Sequence, residues 1–187
     1  MSTMIALLNT AERVNISHQI DNYVFQRHVF AYKEAIKHLK GIVIELGCGT
    51  GYGLDILAPN CVWVAGVDKY ISSQKYSHSN CGIFRSKLPN LNNIGNDSFD
   101  TVICFQVIEH IKEDNILIAE IRRILRPGGK LILTTPNNLM SLTRNPHHVR
   151  EYSTKTIQKI LTGVLINTNY WEYMEIIMLC NIMKQIK

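Results

Sequence analysis

A short run, Ile42–Leu46, apolar except at Glu45, leads straight into Gly47-Cys48-Gly49-Thr50-Gly51-Tyr52-Gly53, with a glycine at every second position. A brief continuous apolar run bounded by turn residues reads as a strand buried on both faces. Glycine reaches positive φ without steric cost and lets a ligand come close to the backbone. A helical pattern over Tyr52–Leu57 follows, so the loop opens a helix whose first N–H groups favour an anionic group. A strand, loop and helix of this kind need parallel strands alongside and helices on the sheet faces to bury them.

The rest of the chain supplies those partners. Val62–Val67, Thr101–Phe105 and Leu131–Thr134 are further apolar runs, with a weaker one at Gly82–Phe84. Between them, Glu113–Leu125 is the clearest amphipathic helix. Leu117, Ile121, Ile124 and Leu125 lie on one stripe, and Pro127 with Gly128-Gly129 is expected to end it. Tyr23–Leu39 reads as a helix stopped by Gly41, Thr154–Leu161 as another helix, and Val164–Asn167 as one more strand. The tail from Trp171 to Lys187 is apolar and open between strand and helix. Alternating strands and helices predict an α/β fold: three layers, doubly wound around a mostly parallel sheet. The 187 residues fit a single domain spanning 1–187, with a helical N-terminal lid over 1–40 and the α/β core over 41–187.

Composition narrows the class further. Apolar residues make up 46% and charged residues 19%, which excludes intrinsic disorder. No apolar run reaches the roughly 18 residues of a membrane span, and Met1 to Ala11 has no basic stretch ahead of an apolar one, so neither a span nor a signal peptide is expected. Five widely spaced cysteines without a C-x-x-C pair fit small buried hydrophobes in a reducing cytoplasm. The net charge of +5 permits an anionic partner without requiring one.

The glycine register decides between ligands. The dinucleotide fingerprint G-x-G-x-x-G needs a glycine where this chain has Tyr52, counting from Gly47, or Leu54, counting from Gly49. A P-loop would need Gly-Lys-Ser/Thr, which does not follow. What stands is an acidic residue and then G-x-G-x-G. The second strand ends at Asp68, whose carboxylate is placed to accept bonds from both hydroxyls of a ribose.

Four ordered segments then carry a resemblance. They are Val43–Gly53 around the glycines, Gly66-Val67-Asp68, Ser98–His110, and Leu125–Asn137 with Arg126-Pro127-Gly128-Gly129. Together they resemble class I S-adenosylmethionine-dependent methyltransferases, and Asn145–Tyr152 is similar to a bacterial branch linked to small-molecule or glycan methylation. The resemblance implies S-adenosylmethionine as cofactor. It implies that Glu45, Gly47, Cys48, Gly49 and Gly51 cradle the methionine end, that Asp68 with Lys69 beside it holds the ribose, and that Gln106 borders cofactor and acceptor. The acid that such proteins often carry near the end of the third strand is missing from Ile83–Leu88, so Ser86 or a backbone group is the expected substitute toward adenine. The C-terminal strand pair of the family is expected to be shortened.

Methyl transfer to a hydroxyl needs a proton acceptor. Glu109, His110 and His148 are the candidate catalytic residues, each beyond the end of a strand on the ligand side, with histidine the natural base near neutral pH. Base N-methylation is disfavoured because Phe105-Gln106-Val107-Ile108 lacks an Asn/Asp-Pro-Pro motif, and covalent cysteine catalysis because no Pro-Cys occurs. Adjacent helical residues point roughly 100° apart, so Glu109 and His110 make awkward joint ligands and no metal is expected. Tyr23, Phe25, His28, Phe30 and Tyr32 are expected to pack on the sheet. Trp171 and Tyr173 are candidates either to frame an acceptor pocket or to cover a sheet edge, and Arg144 and Arg150 are expected as surface arginines rather than as binders of an acidic acceptor. The expected activity is methyl transfer to a small-molecule or sugar acceptor, most readily at oxygen. The alternatives are RNA 2′-O-methylation at a metal-assisted site, supported by the basic charge and the partial pattern Gln106-x-x-Glu109-His110, or a non-catalytic cofactor-binding module.

Overall fold

The computed structural model describes residues 23–71, 77–139, 145–165 and 175–178. Six strands form one sheet: β1 (Ile42–Leu46), β2 (Trp63–Asp68), β3 (Cys81–Arg85), β4 (Phe99–Phe105), β5 (Leu125–Thr134) and β6 (Glu175–Met178). Their order is β3-β2-β1-β4-β5-β6, and every pairing is parallel. The helices are α1 (Tyr23–Ile36), α2 (Tyr52–Leu57), α3 (Asp114–Ile124) and α4 (Thr154–Leu165), with short 3-10 turns at Ala58–Asn60 and Ile108–His110. No helix among the described residues is long and apolar enough to cross a membrane.

Strand alternation sorts side chains onto two cores. Ile44, Leu46, Val67, Val102, Cys104, Leu131 and Leu133 meet Leu117, Ile118, Ile121 and Ile124 of α3 and Ile157 and Leu161 of α4. On the other face, Val43, Val64, Ile103, Phe105 and Ile132 meet Ala31, Tyr32 and Ala35 of α1 and Leu54 and Leu57 of α2. This is the expected three-layer α/β architecture. The strand order reverses between β1 and β4, and in open sheets of this kind ligands bind beyond the carboxyl ends of the strands at that switch point.

Two local expectations are corrected. The α3 helix stops at Ile124, ahead of Pro127, because Leu125 is already extended (ψ 135°) and pairs with Phe99 as the first residue of β5. Proline disfavours helix at the residue before it, and the register shift between Phe99 and Thr101 absorbs Arg126–Gly129 as a bulge. Helix α4 continues through Val164 and Leu165, which were expected to start a strand. Extending an existing helix by one bond per residue outweighs a weak β-branched cue. The closing strand pair is represented among the described residues by β6, parallel to β5. The expectations placed on residues 1–22, Arg144, residues 166–167, Trp171 and Tyr173, and on the side chain of Tyr23, lie outside the described residues or side chains.

Candidate functional site

The glycine loop adopts the backbone that its composition demands. Gly47, Gly49 and Gly51 have φ of 73°, 58° and 84°. The N–H groups of Gly47 and Cys48 both donate to the Val67 carbonyl, at 2.7 and 3.0 Å, which pins the loop over the end of β2. A Cβ on Gly47 would stand 2.4 Å from Cγ2 of Val107, whereas one on Gly49 would meet nothing within 4 Å. The loop is therefore packed at its base and open at its crown.

Two carboxylates flank that opening. Asp68, at the end of β2, accepts from the Gly49 N–H through Oδ2 at 3.0 Å and from the Tyr70 N–H through Oδ1 at 2.8 Å. Glu45 is buried on the α1 side of β1, where Oε1 accepts a short hydrogen bond from the Tyr32 hydroxyl. Its Oε2 is buried with no hydrogen-bond partner. Burial pushes the Glu45 carboxyl up to about 7; the Tyr32 hydrogen bond opposes that rise, and the Asp68 carboxylate adds to it. An orphaned buried carboxylate oxygen beside an open glycine crown suits a ligand that brings a cationic amine, and a carboxylate at the next strand end suits sugar hydroxyls.

Helix α1 closes the loop from one side. Tyr52 lies 5.7 Å from the Phe25 ring and 5.6 Å, edge to face, from the Tyr32 ring, and its hydroxyl is 3.0 Å from His28 Nδ1. These aromatic residues pack, as expected, but they pack on the glycine loop as well as on the sheet. Tyr32 is the residue that sequence reasoning undervalued. Nothing in the 13-residue spacing from Tyr32 to Glu45 signals their bond.

The other cofactor candidates are placed unevenly. The Cys48 side chain is buried, and a Cβ on Gly66 would stand 2.7 Å from its sulfur, so Cys48 offers a ligand only its backbone. Lys69 points outward, with Nζ 4.9 Å from the Tyr70 ring centroid. Gln106 has a φ of 53° and donates to Thr134 Oγ1 through Nε2 at 3.0 Å. This uncommon backbone for a non-glycine residue falls directly after β4, one of the two strands at the switch point. Ser86 follows β3 directly; its N–H donates to the Asp68 carbonyl and its hydroxyl to the Asn90 carbonyl.

Glu109, His110 and His148 come together. Potential ligand atoms, one from each residue, lie within 4.8 Å of one another, and the two imidazole rings are 5.0 Å apart. Glu109 and His148 are buried and His110 is partly exposed. Thr135 donates its hydroxyl to Glu109 Oε2 at 3.0 Å. His110 Nδ1 lies 3.0 Å from the His147 carbonyl, and His148 Nδ1 lies 3.0 Å from Glu151 Oε1. Two N–H groups, of Val149 and Arg150, donate to the Glu109 carbonyl at 2.9 and 3.2 Å, which straps the 145–152 loop onto the turn. Arg150 is an exposed arginine that pairs with Asp114, which also accepts from Tyr152 at 2.7 Å. Thr135, Glu151 and Tyr152 fall inside the segments that carry the resemblance but have no individual role there, and Asp114 has no sequence signal at all.

A family model for a methyltransferase domain matches residues 17–181, and the chain belongs to that family. It is 31% identical over 171 residues to a protein of Mycolicibacterium smegmatis named "Probable S-adenosylmethionine-dependent methyltransferase", covering 83% of this chain and 64% of that one. It is 27% identical over 137 residues to the ubiquinone biosynthesis O-methyltransferase of Xanthomonas oryzae, covering 59% of this chain and 55% of that protein. The chain thus spans less than two thirds of the length of these relatives. Among solved structures, a SAM-dependent methyltransferase from Archaeoglobus fulgidus superposes with a TM-score of 0.62 at 18% identity, over 76% of this chain and 74% of that one, which shows the shared fold.

Proposed function

We infer that this chain is an S-adenosylmethionine-dependent methyltransferase acting on a small-molecule or sugar hydroxyl. The observation that carries the reading is the buried, unpartnered Oε2 of Glu45, on the strand that runs straight into a glycine loop open at Gly49. In this reading Glu45 meets the cofactor's amine, the Gly47–Gly51 backbone lies along its methionine end, and Asp68 takes the ribose hydroxyls. When bound, S-adenosylmethionine would supply a sulfonium-activated methyl carbon, open to in-line attack by the acceptor oxygen with the cofactor's thioether as the leaving group. His148 or His110 takes the acceptor's proton. In each, Nδ1 faces an acceptor, the His147 carbonyl or the Glu151 carboxylate, which suits the tautomer with its proton on Nδ1. The sheet and glycine loop do the positioning, which alone is worth up to roughly 7–11 kcal/mol of a bimolecular barrier.

The same reading makes residues 1–187 one methyltransferase domain, with the N-terminal 40 residues as its lid, and locates it in the cytoplasm. The O-methyltransferase among the relatives supports oxygen as the acceptor atom. Calorimetric titration with S-adenosylmethionine and, separately, with NAD tests the cofactor: binding of NAD alone overturns the reading. Incubation with labelled cofactor and cell extract, followed by separation of small molecules, glycans and RNA, tests the acceptor. Label confined to RNA overturns the small-molecule assignment.

A further inference from the structure

We propose that Glu109, His110 and His148 form a binding site for a divalent transition-metal ion of the zinc class. Neighbours on a regular helix diverge and make awkward joint ligands, but this turn is no regular helix. Gln106 is left-handed, Val107 has φ −125° and ψ −46°, and Ile108–His110 is a single 3-10 turn. The third donor arrives from the 145–152 loop, fastened by the two N–H groups on the Glu109 carbonyl.

What distinguishes the cluster from a chance meeting is how each donor is held from behind. A metal-binding imidazole characteristically gives its other nitrogen's N–H to a carbonyl or carboxylate, which fixes the tautomer and aims the ligating nitrogen. His110 does this with the His147 carbonyl and His148 with the Glu151 carboxylate. Thr135 likewise steadies one oxygen of Glu109. Three donors, each with its own orienting partner and two of them buried, make a prepared site.

Donor chemistry sets the class of ion. Two imidazoles and one carboxylate suit zinc, cobalt, iron(II) or manganese, whereas magnesium and calcium prefer oxygen alone. Three protein ligands also leave coordination positions open, as sites that act on a bound molecule do. Gln106 stays outside the set, its amide turned to Thr134. Arg150 does not bring an opposing charge, because Asp114 pairs it. Around an ion with bonds of about 2.1 Å the donors stand about 3–3.5 Å apart, so the cluster tightens on loading, with the partly exposed His110 free of the constraints of full burial. The turn also adjoins the glycine loop through the Val107–Gly47 approach. One consequence rests on the methyl-transfer reading: a metallated imidazole is no longer a base, and the ion itself would acidify a bound acceptor hydroxyl.

The test uses the full chain stripped with a chelator and titrated calorimetrically with Zn2+, then with Co2+ followed by absorption. One equivalent of Zn2+ is expected to bind. His110→Ala and His148→Ala should each weaken it by at least the 10–100-fold typical of losing even an outer partner, and Thr135→Val by about 10-fold. Circular dichroism matched to the parent keeps the comparison valid; His110, nearer solvent, is the variant least exposed to misfolding. Absence of saturable binding overturns the proposal. So does binding that both histidine variants leave unchanged, or a thiolate-to-cobalt charge-transfer band, which would put the ion on a cysteine. Titration of the same samples with S-adenosylmethionine separates the two readings: cofactor binding without the zinc site overturns only the metal, and a zinc site without cofactor binding overturns only the methyltransferase assignment.

Discussion

The Tyr32 hydroxyl donates to Oε1 of Glu45, joining α1 to the last turn of β1 inside the core. This bond leaves one oxygen of the carboxylate satisfied and the other buried without a hydrogen-bond partner. Tyr32→Phe removes the donor and keeps the ring that packs on Phe105 at 5.2 Å. Loss of a hydrogen bond to a charged or partly charged buried group costs about 1.5–3 kcal/mol, so denaturant unfolding should show a drop of that size. The same variant should bind S-adenosylmethionine more weakly, because nothing then orients Glu45. A variant as stable and as tight as the parent would show that the pair has no role.

Glu45 should also make the ligand-free protein lose stability as pH rises. Its carboxyl moves from an ordinary value of 4.5 up to about 7, chiefly through burial. A folded state that holds a proton more tightly than the unfolded chain is favoured by it below the unfolded value, and the benefit is lost as pH rises through the folded value. Between about 4.5 and 7 this group is expected to remove on the order of 3 kcal/mol. Glu45→Gln should flatten that part of the curve in urea titrations from pH 4 to 8. A cationic ligand reverses the preference, so cofactor binding near pH 7 should release protons, read as a buffer-dependent heat in calorimetry.

Gly47 and Gly49 should separate folding from binding. Both have positive φ, so alanine at either costs about 1–2 kcal/mol in backbone strain. Only at Gly47 does the added carbon collide, 2.4 Å from Val107, adding roughly 1–3 kcal/mol of overpacking. Thermal unfolding should place Gly47→Ala well below Gly49→Ala. In cofactor titrations Gly49→Ala should still show a severe loss, since its carbon enters the open crown.

Much of this architecture was legible because it is written in local periodicity. Ile42–Leu46, the glycine loop and the end of β2 at Asp68 each announce themselves within a few residues, and parallel pairing follows from alternation with helices. The boundary of α3 was misjudged because Leu125 belongs to the apolar stripe of the helix and equally to β5; only its pairing with Phe99 decides. The site was half legible for a related reason. Glu45, Asp68 and the glycines sit on strand ends whose placement the topology dictates. Tyr32 and Thr135 matter through contacts 13 and 26 residues away in the chain, which leave no spacing signal, whereas Glu151 lies three residues from His148. His148 was found by residue type and by the side of the sheet its loop returns to, whereas its approach to Glu109 depended on an irregular turn that no propensity foretells.

Asp114 should act as the clamp that keeps the His148 loop in place. It sits in the first turn of α3, where it accepts from the Tyr152 hydroxyl and pairs with Arg150, both from the far end of that loop. Burial works against its charge, but the Tyr152 hydroxyl and the Arg150 guanidinium outweigh it and hold the carboxyl below its ordinary range. With a lowered folded value, the stabilisation is present at neutral pH and is lost as pH falls through the unfolded value and then the folded one. Tyr152→Phe, which keeps a side chain only 1% exposed, should cost about 1.5–3 kcal/mol above pH 5 and progressively less in acid. Arg150 is half-exposed, so Arg150→Met should cost less than the tyrosine change, as ion pairs reached by solvent do. Hydrogen exchange offers the sharper reading: the Val149 and Arg150 amides, which donate to the Glu109 carbonyl, should lose protection in Asp114→Asn while those of β1 keep theirs. Equal loss in both places would mean that Asp114 supports the whole domain rather than the loop.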